Sequence, residues 1–251
     1  MKQKTGFLIP LLLAPSLAGA DALGVKIGAA YWDYDISGSV RYQSKDSNDD
    51  IDVNDDLGYD SDDLTFIYAS LEHPVPFLPN VRISRSDIDN SANGRLTQSF
   101  TYGDITFDAN ERVSSEVDLK QTDITLYYEV LDNVVSLDLG LNAKYIDSKA
   151  RISGEISGTE TADVSGWVPM LYGAVGADLP FTGLSVKAEG SIIKYQDSEF
   201  FDASVGASYT TPWYVGVDAG YRIIRLDLDD FDDSFADVEF DGLFAGLHAS
   251  F

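Results

Sequence analysis

The sequence predicts an all-β protein: a transmembrane, antiparallel, up-and-down β-barrel of ten strands, with eight or twelve strands as the alternatives. Three observations predict this class. Long segments alternate apolar and polar residues with a period of two, which is the period of a strand because successive side chains point to opposite faces. Short connections alternate with long polar ones, as in outer-membrane barrels. The last strand ends on an apolar aromatic residue, Phe251.

The first twenty residues have the features of a secretory signal peptide. Lys2 and Lys4 precede a short apolar run over 7–14, and the small residues at 18–20 suit a cleavage site. We therefore expect residues 1–20 to be removed. Residues 21–251 are then expected to form one outer-membrane β-barrel domain, since this length suits a single large all-β domain.

The composition narrows the class of protein further. The chain of 251 residues has no cysteine and a net charge of −25, which becomes −27 when Lys2 and Lys4 are removed. Acidity of this size argues against binding to nucleic acid. The lack of cysteine favours a fold that closes on itself without disulfides. No apolar run after residue 20 is long enough for a transmembrane helix.

Ten segments show the strand pattern. In the ninth, Val215, Val217 and Ala219 share one face, and Gly216 and Asp218 share the other. Many of the segments have ten or more residues, whereas strands of soluble proteins usually have about 5–6. The predicted strands are 23–36, 64–73, 80–88, 116–130, 134–148, 166–179, 184–195, 200–211, 213–227 and 237–251.

The connections and the aromatic residues predict how the barrel lies in the membrane. Long polar loops are expected at 37–63, 89–115 and 149–164, outside the cell, and short turns lie between them. Because the strand number is even, both termini fall on the periplasmic side. Aromatic residues near strand ends on the apolar face form the predicted interfacial girdle: Tyr145, Tyr209, Trp213 and Tyr221.

The last eight residues, FAGLHASF, resemble the C-terminal signal that outer-membrane barrels present to their assembly machinery. Gly246 and Phe251 occupy the positions that carry the signal. The match departs at Phe244, where a polar residue is usual, and at Ala249, where a bulkier apolar residue is common. The resemblance implies that the barrel assembly machinery is a partner. The alternation of the last strand separately predicts that Phe251 lies at the periplasmic rim, facing lipid.

Much of the chain after residue 20 is similar to one family of outer-membrane β-barrel proteins of Gram-negative bacteria, catalogued in organisms that use GlyGly-type C-terminal sorting. The resemblance implies a barrel in the bacterial outer membrane. It implies no catalytic residue, because the family has no established biochemical activity. The segments that carry it are DDLGYDSDD (55–63), EHPVPFLPNVRIS (72–84), DITLYYEVLDNVVSLDLGL (123–141), PMLYGAVGADLPFTGLS (169–185), GYRIIRLDLDDFDD (220–233) and DGLFAGLHASF (241–251).

The sequence offers little for an enzyme. General acid–base catalysis near neutral pH usually uses a histidine, and the chain has two, His73 and His248. Both are predicted at the periplasmic end, away from the long loops, and His248 is predicted to point inward. We therefore expect structural roles for both and a non-enzymatic protein. A hydrolase acting at the barrel rim is the distant alternative.

Two acidic segments stand out. Residues 46–63 contain nine Asp and residues 227–233 contain five. Oxygen-rich clusters suit Ca²⁺ or Mg²⁺, so Asp52, Asp55 and Asp56 are candidate ligands of a weakly bound divalent cation, although their spacing does not fit an EF-hand. The alternative is a solvated loop of like charge. No other cofactor is expected.

Charged residues of both signs fall on the face opposite the apolar one and therefore point into the lumen. In a narrow barrel such charges pair with each other and brace the wall, whereas a water-filled pore usually takes a wider barrel. A paired lumen and a small channel are thus the two hypotheses. The candidate lumen residues are Lys26, Arg82, Asp138, Lys144, Lys187, Glu189, Asp218 and Arg222.

These patterns predict a monomeric barrel of the bacterial outer membrane, in contact with lipid and lipopolysaccharide. Its expected role is envelope structure or surface interaction. A narrow, porin-like channel for small solutes or ions is the main alternative.

Overall fold

The computed structural model describes residues 23–42, 50–75, 77–231 and 234–251. The predicted signal peptide, residues 1–20, lies outside the described residues, as do parts of both acidic segments. The described ranges contain no helix long and apolar enough to cross a membrane. The strands are β1 (Gly24–Tyr42), β2 (Ile51–Asp52), β3 (Ser61–Glu72), β4 (Asn80–Arg95), β5 (Phe100–Tyr102), β6 (Ile105–Phe107), β7 (Arg112–Asp132), β8 (Val135–Gly154), β9 (Gly158–Leu179), β10 (Leu184–Tyr195), β11 (Ser198–Thr210), β12 (Val215–Phe231) and β13 (Ser234–Ser250).

Ten of these strands form a closed antiparallel wall, and β2, β5 and β6 lie outside it. Each wall strand pairs with the next along the chain, and β13 pairs with β1 over the whole of its length, from Lys26–Ser250 to Tyr42–Ser234. The backbone N–H groups of Val25 and Phe251 donate to each other's carbonyls at 3.0 and 2.8 Å. The predicted ten-strand up-and-down barrel is therefore confirmed.

The two ends of the barrel differ. Leu23, where the described chain starts, and Phe251 lie at one end, the terminal end, where the connections are short: 73–79, 133–134, 180–183 and 211–214. The opposite end, the loop end, has the described segments 50–60 and 96–111 and the tight turns 155–157 and 196–197. This asymmetry is the one that the sequence predicts for the periplasmic and outer sides.

An apolar belt surrounds the outside of the wall. Outward side chains such as Leu139, Leu243 and Leu247 expose 50%, 68% and 64% of their surface, which water would disfavour and lipid favours. At the loop-end edge of the belt, the rings of Tyr145 and Trp167 are 5.1 Å apart. Beyond this edge, towards the loop end, the outward residues are charged: Asp33, Arg85, Lys120, Asp147 and Arg225. A closed wall with such a belt is an outer-membrane architecture, so the predicted location is confirmed.

Aromatic residues occupy three turns at the terminal end. Phe77, Phe181 and Tyr214 have φ of 70°, 66° and 65°, a region that bulky residues rarely adopt and that costs about 1–3 kcal/mol. Their side chains are exposed. Tyr214 stacks on Phe251 with ring centroids 6.2 Å apart, and the Tyr128 hydroxyl donates to the Phe77 carbonyl at 3.0 Å. These turns extend the aromatic girdle at this edge of the belt.

The strands continue past the belt at the loop end, where the sequence predicts loops. β8 and β9 stay paired as far as Gly154–Gly158, so the predicted loop 149–164 is a hairpin with its turn at 155–157. β4 likewise reaches Arg95, and β7 begins at Arg112. The prediction was wrong here because the outward face of these extensions is polar, as at Lys149 and Arg151, and the apolar residues, such as Ile152 and Val113, point inward. The apolar face therefore changes sides and is interrupted by polar residues, although the ladder continues.

Apolar side chains fill the lumen at the loop end. Trp32 and Phe107 have no exposed surface, and Phe100, at 2% exposure, stacks on Phe107 at 5.3 Å. We call this set the apolar plug. The wall contributes Trp32, Tyr34, Ile36, Leu64, Ile88, Ala92, Val113, Ile152, Met170, Phe200, Ile224 and Val238, and the connections contribute Ile51, Val53, Leu57, Tyr59, Leu96, Phe100, Tyr102 and Phe107.

The plug is linked to a gap in the wall. β3 and β4 pair only from Ile67–Arg85 to Leu71–Val81 in the described chain. Continuation of this ladder would place Asp63 opposite Asp89, and like charges in that position are destabilising. Residues 53–59 pack against β4 where the ladder ends. A Cβ at Gly94 of β4 would collide with the backbone of Asp56 and Leu57.

Candidate functional site

The polar half of the lumen, between the plug and the terminal end, is the candidate site. Side chains alternate across the wall, so one face of every strand points inward. The structure places all eight predicted lumen side chains there, on five strands: Lys26 on β1, Arg82 on β4, Asp138 and Lys144 on β8, Lys187 and Glu189 on β10, and Asp218 and Arg222 on β12. All eight belong to ion pairs within the lumen.

The first group of pairs surrounds Lys144, whose side chain has no exposed surface. Its ammonium lies 2.9 Å from Asp123 and 2.9 Å from Asp202, and it donates to the Gln121 amide oxygen at 3.1 Å. Arg222 donates to both oxygens of Asp202, at 3.1 and 2.9 Å. Two cations and two carboxylates thus form a neutral cluster, which is what burial of charge requires.

A second group joins β4, β8 and β10. The Arg82 guanidinium lies 2.5 Å from Glu189, and Lys187 lies 3.1 Å from Asp138 and 3.7 Å from Glu189. The Tyr172 hydroxyl also donates to Glu189, at 3.2 Å. The Arg82–Glu189 and Lys187–Asp138 pairs join strands that are not neighbours, β4 with β10 and β8 with β10, and so brace the wall.

Asp218 is the centre of the third group. It accepts from the Tyr68 hydroxyl at 2.6 Å, from the Ser208 hydroxyl, and from Nδ1 of His248 at 2.9 Å. The Lys26 ammonium lies 3.5 Å away. Sequence reasoning missed Tyr68 and Ser208, because hydroxyl residues are common at inward positions of the barrel and carry no charge that would single them out.

Arg222 marks the boundary between the polar half and the plug. Its guanidinium carbon lies 5.0 Å from the ring centroid of Trp32 and 5.3 Å from that of Phe66, within the range of a cation–π contact. The charge network is thereby in direct contact with the aromatic residues that close the lumen.

A cavity of about 150 Å³ lies within the polar half. Lys26, Arg82 and Lys187 are in its wall, and Phe66 and Phe244 lie on the side of the plug. The Lys26 and Lys187 side chains are 33% and 42% exposed although they face the lumen. Since the plug fills the loop end, solvent reaches them from the terminal end. We call this space the lumen cavity.

Both histidines have local partners in the structure. His73 lies in the turn after β3, where its Nδ1 accepts from the Val75 N–H at 3.3 Å and its Nε2 lies 3.1 Å from the Pro79 carbonyl. These contacts require the proton on Nε2. His248 points inward and is 3% exposed, with Nδ1 on Asp218 and Nε2 2.9 Å from the Thr210 hydroxyl. The order carboxylate, imidazole and hydroxyl is that of a hydrolase triad, but the imidazole is enclosed by the wall.

The acidic residues proposed as cation ligands form a turn. One Asp52 oxygen accepts the backbone N–H groups of Asn54 and Asp55, both at 2.8 Å. Asp56 is buried and accepts from the backbone and the hydroxyl of Thr97, at 2.9 and 2.7 Å. Asp55 is exposed. The part of the chain that the structure describes has no cluster of three or more metal-ligating side chains, and the cation site at these residues stays a prediction.

Glu111 fixes the cap at the loop end, a role that the sequence did not indicate. Its carboxylate accepts the N–H groups of Ile156 and Ser157, at 2.6 and 2.8 Å, and the Ser157 hydroxyl at 2.6 Å. The hydroxyl bond is the main reason that the pKa of Glu111 falls to about 2, and the backbone N–H bonds of Ser157, Ile156 and Asp108 add to it against the effect of burial. The carboxylate thus holds the tip of the β8–β9 hairpin.

The two residues of the predicted assembly signal lie on the closing seam. Gly246 faces Ala30 of β1, and a Cβ there would lie 2.6 Å from both the Ala29 carbonyl oxygen and the Ala30 side chain. Phe251 is 68% exposed at the terminal rim, where the sequence places it. Glycine is thus required by the close approach of the first and last strands.

No protein-family model matches the sequence, and no curated protein matches it. Among solved structures, the barrel is similar to the outer membrane protease OmpT from Escherichia coli (12% identity, TM-score 0.48, 90% of this chain and 97% of that chain). It is also similar to the translocator domain of the autotransporter NalP from Neisseria meningitidis (11%, 0.45, 92% and 89%) and to the transport unit of the autotransporter AIDA-I from Escherichia coli (11%, 0.41, 96% and 94%). Likeness at this level concerns the barrel architecture, and the activities of these proteins do not carry over to this chain.

Proposed function

We propose that the protein is a closed, non-conducting and non-enzymatic barrel that serves envelope structure and surface interaction. The apolar plug is the observation that carries this proposal. A continuous path for water or ions would have to pass Trp32, Phe100 and Phe107, which are each no more than 2% exposed. Ions crossing such a layer would lose their hydration, and its apolar side chains do not replace it.

The polar half of the lumen supports the same role. Its charges are arranged as pairs across the barrel, from Arg82 to Glu189 and from Lys144 to Asp202. Pairs of this kind hold strands together from inside, whereas a conducting pore needs charges that are free to meet the passing ions. The small channel is therefore the second candidate.

The loop end supports a role at the cell surface. The strands extend past the belt, and the capping connections pack Ile51, Phe100 and Phe107 into the plug, against side chains of the wall. A packed cap presents a fixed surface, which an interaction partner can recognise without ordering a loop. Its acidic residues would lie next to lipopolysaccharide, which is also anionic. We expect a monomer that uses the barrel assembly machinery for insertion.

Planar-bilayer recording of the purified, refolded protein tests the proposal. We expect no discrete conductance steps at 1 M KCl. A shift of gel mobility on boiling, measured on the same sample, shows that the protein is folded. An absence of conductance steps is then a property of the folded barrel. Defined ohmic steps from folded protein would overturn the proposal and establish the channel.

A further inference from the structure

We propose that the lumen cavity binds a small carboxylate with an apolar or aromatic body, which enters from the terminal end. The inference goes beyond the closed barrel, since a blind cavity can bind a solute that the plug prevents from crossing. Three features of the lining carry it: saturated carboxylates, cations with unused donors, and an apolar inner side.

The buried carboxylates of the lining have little capacity left for a ligand. Asp218 already accepts from Tyr68, Ser208 and His248, and it also faces Lys26. A carboxylate has two oxygens with about four acceptor positions, so these donors use most of them. Glu189 is in a similar state, because Arg82, Tyr172 and Lys187 all approach it.

Lys26 and Arg82 have more N–H groups than their carboxylate partners accept. An ammonium has three N–H groups, yet the nearest carboxylate to Lys26 within the described residues is Asp218 at 3.5 Å. A guanidinium has five, and Arg82 donates to Glu189. Both cations lie against the ring of Tyr68, at 5.8 and 5.1 Å from its centroid. They therefore converge on one side of the cavity, where an acceptor group would complete their bonding.

Glu72 limits where an anion can be held. This acid also lines the cavity, and it accepts from the Tyr127 hydroxyl at 2.8 Å. It is the last residue of β3 and pairs with Gly24, at the terminal rim, whereas Lys26 lies two residues deeper. Repulsion by Glu72 thus places the anionic group deeper, beside Lys26 and Arg82. The acidic loops lie at the other end, beyond a screening length of about 8 Å at physiological salt.

The inner side of the cavity is suited to an apolar group. Ala30, Phe66 and Phe244 form this side, and the two phenylalanine rings lie 5.9 Å apart with their planes at 72°. A volume of about 150 Å³ corresponds to roughly five water molecules at about 30 Å³ each. The ligand is therefore small, of the size of benzoate.

Ligand-observed NMR with the refolded full-length barrel tests the proposal, using benzoate as the probe and benzyl alcohol as its uncharged counterpart. We expect benzoate to bind with a Kd about tenfold lower than that of benzyl alcohol, since a charge-assisted bond is worth about 1.4 kcal/mol or more. Lys26→Gln should weaken benzoate binding at least fivefold, since Lys26 lies beside the anionic group, and Lys187→Gln, which removes another cation of the cavity wall, should weaken it to a smaller extent. Lys194→Gln is the control, because Lys194 is 65% exposed on the outer face.

Three results would overturn the proposal. They are absence of benzoate binding at 10 mM, equal affinity for benzoate and benzyl alcohol, and unchanged affinity in both lumen variants. Gel mobility with and without boiling shows that each variant is folded. Because Lys26 and Lys187 are partly exposed, at least one variant is expected to pass this control.

Discussion

Lys144 shows how a single buried charge supports the wall. Its ammonium lies between Asp123 and Asp202 and has no exposed surface. Lys144→Met leaves two buried carboxylates with one cation, Arg222, between them. Removal of one partner from a buried pair costs about 3–5 kcal/mol, so we expect a loss of this size in the free energy of unfolding, measured by urea titration of the refolded barrel.

The matched control for Lys144 is another lysine in an exposed pair. Lys194 lies 4.0 Å from Glu199 and is 65% exposed, and such pairs contribute about 0–1 kcal/mol. Lys194→Met should therefore unfold close to the wild-type urea concentration. Equal losses in the two variants would show that the lumen cluster does not depend on pairing.

Glu111 gives the loop end a pH dependence. Its folded pKa of about 2 is below its ordinary value of 4.5, so its contribution is fully present above pH 4.5 and is lost as the pH falls towards 2. At pH 6, Glu111→Gln should speed hydrogen exchange at the amides of Ile156 and Ser157. At pH 2, where about half of the carboxylate is still ionised, the difference should fall to about twofold or less. If the difference in exchange rate is as large at pH 2 as at pH 6, the effect comes from the shape of the side chain and not from its charge.

At the scale of elements, the seam between β1 and β13 depends on Gly246. A Cβ at this position would press on the backbone of β1, at 2.6 Å from the Ala29 oxygen, whereas a Cβ at Gly166 of β9 meets nothing within 4 Å. We expect Gly246→Ala to lower the folded fraction on refolding into lipid vesicles and Gly166→Ala to leave it unchanged. If Gly246→Ala refolds normally in vesicles but fails to assemble in cells, the glycine is needed for recognition by the assembly machinery and not for closure of the seam.

The sequence predicted the parts of each strand that lie in the membrane, because lipid on one side and a polar lumen on the other impose alternation. Leu139, Leu243 and Leu247 are on the outer face for this reason. Past the belt, lipid no longer requires an apolar outer face, and the outer ends of β8 and β9, residues 149–164, were predicted as a loop. The plug was missed on similar grounds, since Ile51 and Val53 are surrounded by aspartates in the sequence.

The candidate site was predictable as a set of residues and not as a set of contacts. Alternation alone places Lys144 and Asp218 inside, but the partners come from strands that are distant in the chain: Lys144 meets Asp202, 58 residues away. The tyrosines that bond to the carboxylates have no charge to reveal them. The lumen cavity depends on both sets and is visible only in the folded barrel.

At the scale of the whole molecule, the lumen is divided into a polar, solvent-accessible half and an apolar core. The Arg222 guanidinium, which bonds to Asp202 and lies over the rings of Trp32 and Phe66, connects the two halves. This division explains why a barrel rich in inward charges need not conduct: pairing satisfies the charges on one side, and the plug excludes water on the other.

The closed wall should make the whole molecule heat-modifiable. The seam pairs seventeen residues of β1 with β13, so opening the barrel must break a full ladder at once, in a medium that cannot replace those hydrogen bonds. We expect the unboiled protein to migrate differently from the boiled protein in a detergent gel. A variant that lacks 234–251 has no closing strand and should show one mobility under both conditions. If the full-length protein also shows a single mobility, the wall is not closed in detergent; if the truncated variant still shifts, the compact form does not depend on the β1–β13 seam.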